Sequence, residues 1–97
     1  MSFITVSDHA KERGIQRFWL NSQQLRDMAE QAVTEGYSIN DAPTKEISQY
    51  LQQKAGDNNA YGYAGYIFIL SEHMVLITTF RMPMRLLKQL EPDKNIA

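Results

Sequence analysis

The chain contains no cysteine. That absence excludes a disulfide scaffold, a thiolate zinc site and a cysteine nucleophile together, and it fits a reducing compartment. Proline is scarce, at 3 residues, and no repeat, low-complexity tract or linker breaks the 97-residue chain, so one domain over 1–97 is expected. Long hydrophobic runs are missing as well. The most apolar stretch, Tyr61 to Leu70, is about half the length of a membrane span. Met1-Ser2-Phe3-Ile4-Thr5-Val6 lacks a basic region followed by a long apolar one, so no signal peptide is expected. Cytoplasm, with no membrane partner, is the expected setting. An excess of positive charge is also lacking. A net charge of −1 and a pI near 6.1 exclude a generally basic nucleic-acid binder but leave room for a local basic face. There is no P-loop, no G-x-G-x-x-G and no H-x-x-x-H, and His9 and His73 are too far apart in sequence for a metal spacing. Neither metal nor cofactor is expected.

What is present reads as a globular domain, with 43% hydrophobic and 22% charged residues. Phe3-Ile4-Thr5-Val6 is β-prone and suits an edge strand or a packed arm. Ser7 and Asp8 offer a helix N-cap. The helix that follows runs from about His9, and Gly14 is expected to interrupt or end it. Phe18-Trp19-Leu20 is an apolar patch expected to anchor the next turn to the core. Asn21 and Ser22 cap a second helix whose Leu25, Met28, Ala29, Ala32 and Val33 share one face, with Gly36 at its end. Asn40-Asp41-Ala42-Pro43 reads as a turn opening a third helix, with the proline in its first turn. Ile47, Tyr50, Leu51 and Ala55 form that helix's inner face, and Gly56 stops it.

Beyond Asp57-Asn58-Asn59 the hydrophobic period changes from helical to alternating. Tyr61 to Gly65 suits a strand, Tyr66 to Leu70 a second, and Met74 to Met82 a third after a turn at Ser71-Glu72-His73. Val75, Ile77, Thr79 and Arg81 are expected on one side of the last strand, and Leu76, Thr78, Phe80 and Met82 on the other. Pro83 ends the sheet, a short helix spans about 85–90, and 91–97 form a polar tail. With a helical part over about 7–56 and a meander over about 60–83, the expected class is α+β. The helices should pack on one face of a three- to four-stranded antiparallel sheet.

Two groups of residues suggest chemistry. His9, Arg13 and Arg17 fall at i, i+4 and i+8, so an unbroken helix stacks an acid/base imidazole beside guanidinium groups matched to phosphate oxygens. The plainer reading is a solvated helix face that Asp8, Glu12 and Asp27 neutralise. Arg81 ends an apolar strand and must reach solvent, an ion pair or a ligand; Thr79 beside it could lend a hydroxyl. Tyr61, Tyr63 and Tyr66 either stack on bases or pack the sheet.

Ile4 to Arg13, with its His9-Ala10-x-x-Arg13 motif and Arg17 after it, resembles the N-terminal helix of RelE-like proteins of the barnase–EndoU–colicin–RelE superfamily. The late segment Tyr66-Ile67-Phe68-Ile69 and Val75 to Pro83 resembles the terminal hairpin of small phage and mobile-element proteins of that group. The likeness covers the two ends and the element order. It implies helices on an antiparallel sheet and metal-independent RNA cleavage, in which a ribose 2′-OH attacks the adjacent phosphate. Carried onto this sequence it makes His9 the acid/base and Arg13 the phosphate ligand beside it. Arg17 and Tyr66 become RNA-binding residues, Arg81 stabilises the transition state and Thr79 donates a hydrogen bond. RNA or the ribosome is then a partner, and so is a protein such as an antitoxin or host factor. The alternative is a non-catalytic phage or mobile-element protein that binds a host or partner protein through the same scaffold, with a homodimer within its range. A further one is an oligomeric structural or accessory protein in which Trp19, Phe18 or an edge strand forms a symmetric dimer.

Overall fold

The computed structural model describes residues 3–90; the tail expected over 91–97 lies outside them. Local chemistry sets most element boundaries. Ile4 and Val6 are buried and Thr5 between them is exposed, which is the alternation of strand β1 (Thr5–Val6). Ser7 caps α1 (Asp8–Phe18), its hydroxyl accepting from the Ala10 N–H. Gly14 neither interrupts nor ends this helix. It is buried, and a Cβ there would stand 2.9 Å from the Leu25 side chain, so the bare backbone lets the following helix approach closely. That helix, α2 (Ser22–Glu35), opens on a reciprocal capping box between Asn21 and Gln24 and buries Leu25, Ala29 and Ala32.

After the two-residue strand β2 (Tyr37–Ser38), Thr44 caps α3 (Lys45–Ala55) by accepting from the Ile47 N–H. Pro43 therefore lies before the cap and outside the helix, two residues ahead of the first helical position, Lys45. The remaining elements are β3 (Asn59–Tyr63), β4 (Tyr66–Leu70), β5 (Val75–Arg81) and α4 (Met84–Leu90).

The class is α+β, but the sheet departs from the expected three- to four-stranded antiparallel one. It has five strands in the order β1-β5-β4-β3-β2, and β1 pairs with β5 in parallel. The meander β3-β4-β5 is extended by a two-residue strand at each edge, too short to carry a period of its own. The helices are also not confined to one face. Leu25, Ala29, Ala32, Phe68, Leu70 and Leu76 form one core under α1 and α2. Ile47, Leu51, Ala55, Ile67, Ile69, Met82 and Leu86 form a second under α3 and α4. The cause is in β4, where Ile67, Phe68, Ile69 and Leu70 are all buried: an apolar run without polar alternation needs cover on both sides.

A register shift between Ile69 and Leu70 breaks the expected alternation of β5. Leu76 opposes Leu70 while Thr78 opposes Ile69, so Ile77 is the extra residue. Leu76, Thr79 and Arg81 consequently share the α1–α2 side, and Ile77, Thr78 and Phe80 the other.

On the α3 side the Tyr37 ring lies over Gly62, where any Cβ would stand 2.4 Å from the ring, and its hydroxyl meets Met82 Sδ at 3.8 Å. Burial pushes this phenol up to about 12 from an ordinary value of 10.0. The unfolded chain therefore loses this proton first, and Tyr37 contributes stability that is intact below pH 10 and is lost as pH rises towards 12. In an absorbance titration of the phenols, a late-ionising component is expected that Tyr37→Phe removes. A titration unchanged by that substitution would contradict the burial of the ring.

Candidate nucleic-acid interface

α1 lies along β5. At its start the Ser7 N–H donates to Leu76 O at 3.1 Å and the Ser7 hydroxyl donates to Ile77 O at 3.3 Å. At its end the Phe18 ring meets Tyr66 edge-on, with centroids 4.9 Å apart, and Tyr66 is paired with Arg81 across the sheet. β1 accompanies β5 only to Leu76, so the rest of that strand has no strand neighbour on this side. The flank of α1 fills the gap.

Continuity through Gly14 stacks His9, Arg13 and Arg17 along this flank. Arg13 Nε donates to His9 Nε2 at 3.4 Å, and His9 is exposed. Arg17 Nη1 donates to Thr79 O at 3.3 Å, with its guanidinium 5.8 Å from the centre of the Phe80 ring. Lys54 reaches the same ring from α3, at 5.4 Å, and Arg81 stands 5.9 Å from the centre of the Tyr66 ring. Lys54 thus approaches Phe80 from the opposite, α3 side. With Arg13 the other contacts make a line of cations along α1 and the end of β5, Arg17 and Arg81 each over a ring. His9 and Arg81 are at its two ends, and His9 and Arg17 are separated by roughly 12 Å of helix rise.

None of the nearby acids pairs with a cation of this line, although Glu12 and Asp27 meet only neutral amides and keep their charge. Asp8 pairs with Lys11 at 4.0 Å, Glu12 accepts from Gln16 and Asp27 accepts from Gln23. Among the described residues the other ion pairs are His73–Glu72 and Arg85–Glu46, so Arg13, Arg17, Lys54 and Arg81 have no carboxylate partner there. Within a chain of net charge −1, Arg13, Arg17 and Arg81 thus stand without a direct carboxylate partner among the described residues, with the charged Glu12 on the same helix.

Five of the six residues singled out in the sequence present side chains along this line. Thr79 is the exception. Its side chain is 0% exposed and its hydroxyl donates to Ile67 O at 3.0 Å, so only its backbone carbonyl takes part, through Arg17. Phe18, Phe80 and Lys54 were not foreseen as site residues. Lys54 had a signal, since it lies four residues after Tyr50 on one helix and stands 5.5 Å from that ring's centre. Of the Phe18-Trp19-Leu20 patch expected to anchor the next turn to the core, Trp19 is 90% exposed, as the dimer alternative would need.

Beyond Arg81 the line runs into a groove of about 790 Å³ between the Ala64-Gly65 turn and α4. Tyr66 and Arg81 form part of its lining, and Met82, Leu87 and Leu90 make it largely apolar. No group of three metal-ligating side chains occurs among the described residues, and no described helix is long and apolar enough to cross a membrane. No protein-family model, curated protein or solved structure matches the chain.

Proposed function

We propose that this domain binds single-stranded RNA along the α1–β5 face and cleaves it without a metal, as the likeness to RelE-like ribonucleases implies. One observation carries the reading: Arg13, Arg17 and Arg81 follow α1 and the end of β5 beside His9 and the half-buried Phe18 and Tyr66 rings, and none of the three has a carboxylate partner among the described residues. Unpaired cations attract a phosphate backbone, and rings beside them suit unstacked bases better than a closed duplex.

Cleavage belongs at the His9 end. Arg13 Nε lies 3.4 Å from His9 Nε2, and the reaction uses the neutral imidazole with its lone pair on that nitrogen. A phosphate arriving beside Arg13 exchanges this long contact for a charge-assisted one and releases that lone pair. Nε2 then takes the proton of the ribose 2′-OH. The 2′-oxygen bonds to phosphorus, the P–O5′ bond breaks, and the departing oxygen takes a proton from water. The products are a 2′,3′-cyclic phosphate and a 5′-hydroxyl. Arg13 and Arg17 stabilise the charge that develops on the phosphate, while Arg81 and Tyr66 hold the strand further along.

The test pairs binding with cleavage. A labelled single-stranded oligonucleotide is titrated at several salt concentrations, and total RNA is incubated with the protein in EDTA. Three or four phosphate contacts predict a slope of about −2 to −3 in log affinity against log salt. Arg81→Ala should flatten that slope. An affinity indifferent to salt would sink the proposal.

A second reading, a protein partner, has the apolar groove beside Arg81 in its favour. Met84, 67% exposed, stands on the same lining. It predicts that Met84→Asp abolishes partner binding and leaves RNA affinity unchanged.

A further inference from the structure

We infer that Trp19 is a base-stacking residue, the platform on which an unpaired nucleotide lies when RNA occupies the α1–β5 face. The inference rests on the RNA-binding reading and extends it to a residue outside the cation line. Trp19 closes α1 with a left-handed backbone, φ 61° and ψ 26°, its N–H bonded back to Gly14 O and Ile15 O. Glycine is the residue that adopts this conformation freely; a side chain with a Cβ is disfavoured there. The chain nevertheless places its one tryptophan at this cap and leaves it 90% exposed. Neither the fold nor the helix end gains from the indole. A large ring held at a backbone position that opposes it, with no packing in return, suits a ligand.

The surroundings decide which ligand. Trp19 directly follows Arg17, bonded to the free side of β5, and Phe18, stacked edge-on against Tyr66. In sequence it is the residue after Phe18, whose ring meets the Tyr66 ring that Arg81 faces. A flat, exposed π-surface at the end of the helix that carries Arg13 and Arg17, neither with a carboxylate partner among the described residues, matches a nucleobase attached to a phosphate chain, and such stacking tolerates any base.

Because this is the only tryptophan, its emission reports on the site without a label. The full chain is titrated with a 5′-labelled 2′-O-methyl oligouridylate, which lacks the attacking hydroxyl, and with an abasic ribose-phosphate chain of the same length. Expected are quenching of Trp19 by the oligouridylate but not by the abasic chain, and at least about a fivefold loss of affinity in Trp19→Gly, the low end of stacking contributions. Trp19→Gly should fold at least as stably as wild type, because glycine suits the cap, and Trp19→Phe should retain most of the affinity.

Salt-dependent binding that weakens in Arg81→Ala, with unchanged emission and wild-type affinity in Trp19→Gly, would overturn this inference and leave the RNA reading standing. Absence of any binding by wild type would overturn both. A concentration-dependent blue shift without RNA, abolished together with self-association in Trp19→Gly, would assign the indole to a second copy of the chain and overturn it too.

Discussion

His9→Ala is expected to lower RNA cleavage by about 10² to 10⁴, the range for loss of a positioned acid/base, while RNA affinity stays within about a factor of two. The split follows from the position of the imidazole. His9 is exposed on the first turn of α1 and contacts no backbone group of the sheet; its neighbour is Arg13, at 3.4 Å. Removing it takes away the proton acceptor and one end of a long hydrogen bond, and leaves Arg13, Arg17 and Arg81 where they are. Arg81→Ala should give the opposite pattern. It raises KM, because Arg81 holds the strand beside Tyr66 at the other end of the line, and it changes kcat less. Both variants belong in one assay in EDTA, with ribosomes added in a parallel arm. Cleavage by His9→Ala at the wild-type rate would remove the imidazole from the chemistry. Absence of cleavage in every arm, with binding intact, would leave an RNA-binding domain without hydrolytic function.

The sequence disclosed the cation ladder but not what made it a surface. His9, Arg13 and Arg17 were legible from helical spacing alone, provided the helix survived Gly14. Leu25, eleven residues later, fills the space a Cβ at Gly14 would need, so the glycine serves close packing and not a helix break, and spacing within α1 cannot reveal a contact made by α2. The engagement of Asp8, Glu12 and Asp27 is likewise a matter of which neighbour each carboxylate finds; from sequence, all three stood as neutralising partners. Thr79 reads as an accessible strand hydroxyl until the register of β4 and β5 sets it opposite Phe68, under α1. Trp19 reads as part of a core-anchoring patch or as a dimer contact. Its exposure follows from the turn that separates α1 from α2, a tertiary outcome that hydrophobic pattern does not encode.

The second large effect tests the arrangement of layers. Phe68→Ala should destabilise the domain by about 3–5 kcal/mol, and Ile67→Ala by about 2–5 kcal/mol, in urea denaturation. Neighbours in β4, these two residues point to opposite faces: Phe68, 1% exposed, into the core under α1 and α2, and Ile67, 0% exposed, into the core under α3 and α4. A sheet with all its helices on one side would leave one of them facing water, where truncation costs within about 0.5 kcal/mol. Comparable losses from both are therefore the signature of cover on both faces. The continuous apolar run Ile67-Phe68-Ile69-Leu70 already hinted at it, since no polar residue alternates to meet solvent. The total stability of a domain this size is about 5–15 kcal/mol, so the double substitution should leave little or no folded protein at 25 °C. Ile67→Ala at wild-type stability beside a damaging Phe68→Ala would return α3 and α4 to the periphery. It would also detach Lys54 from the Phe80 ring, since α3 carries that lysine to β5.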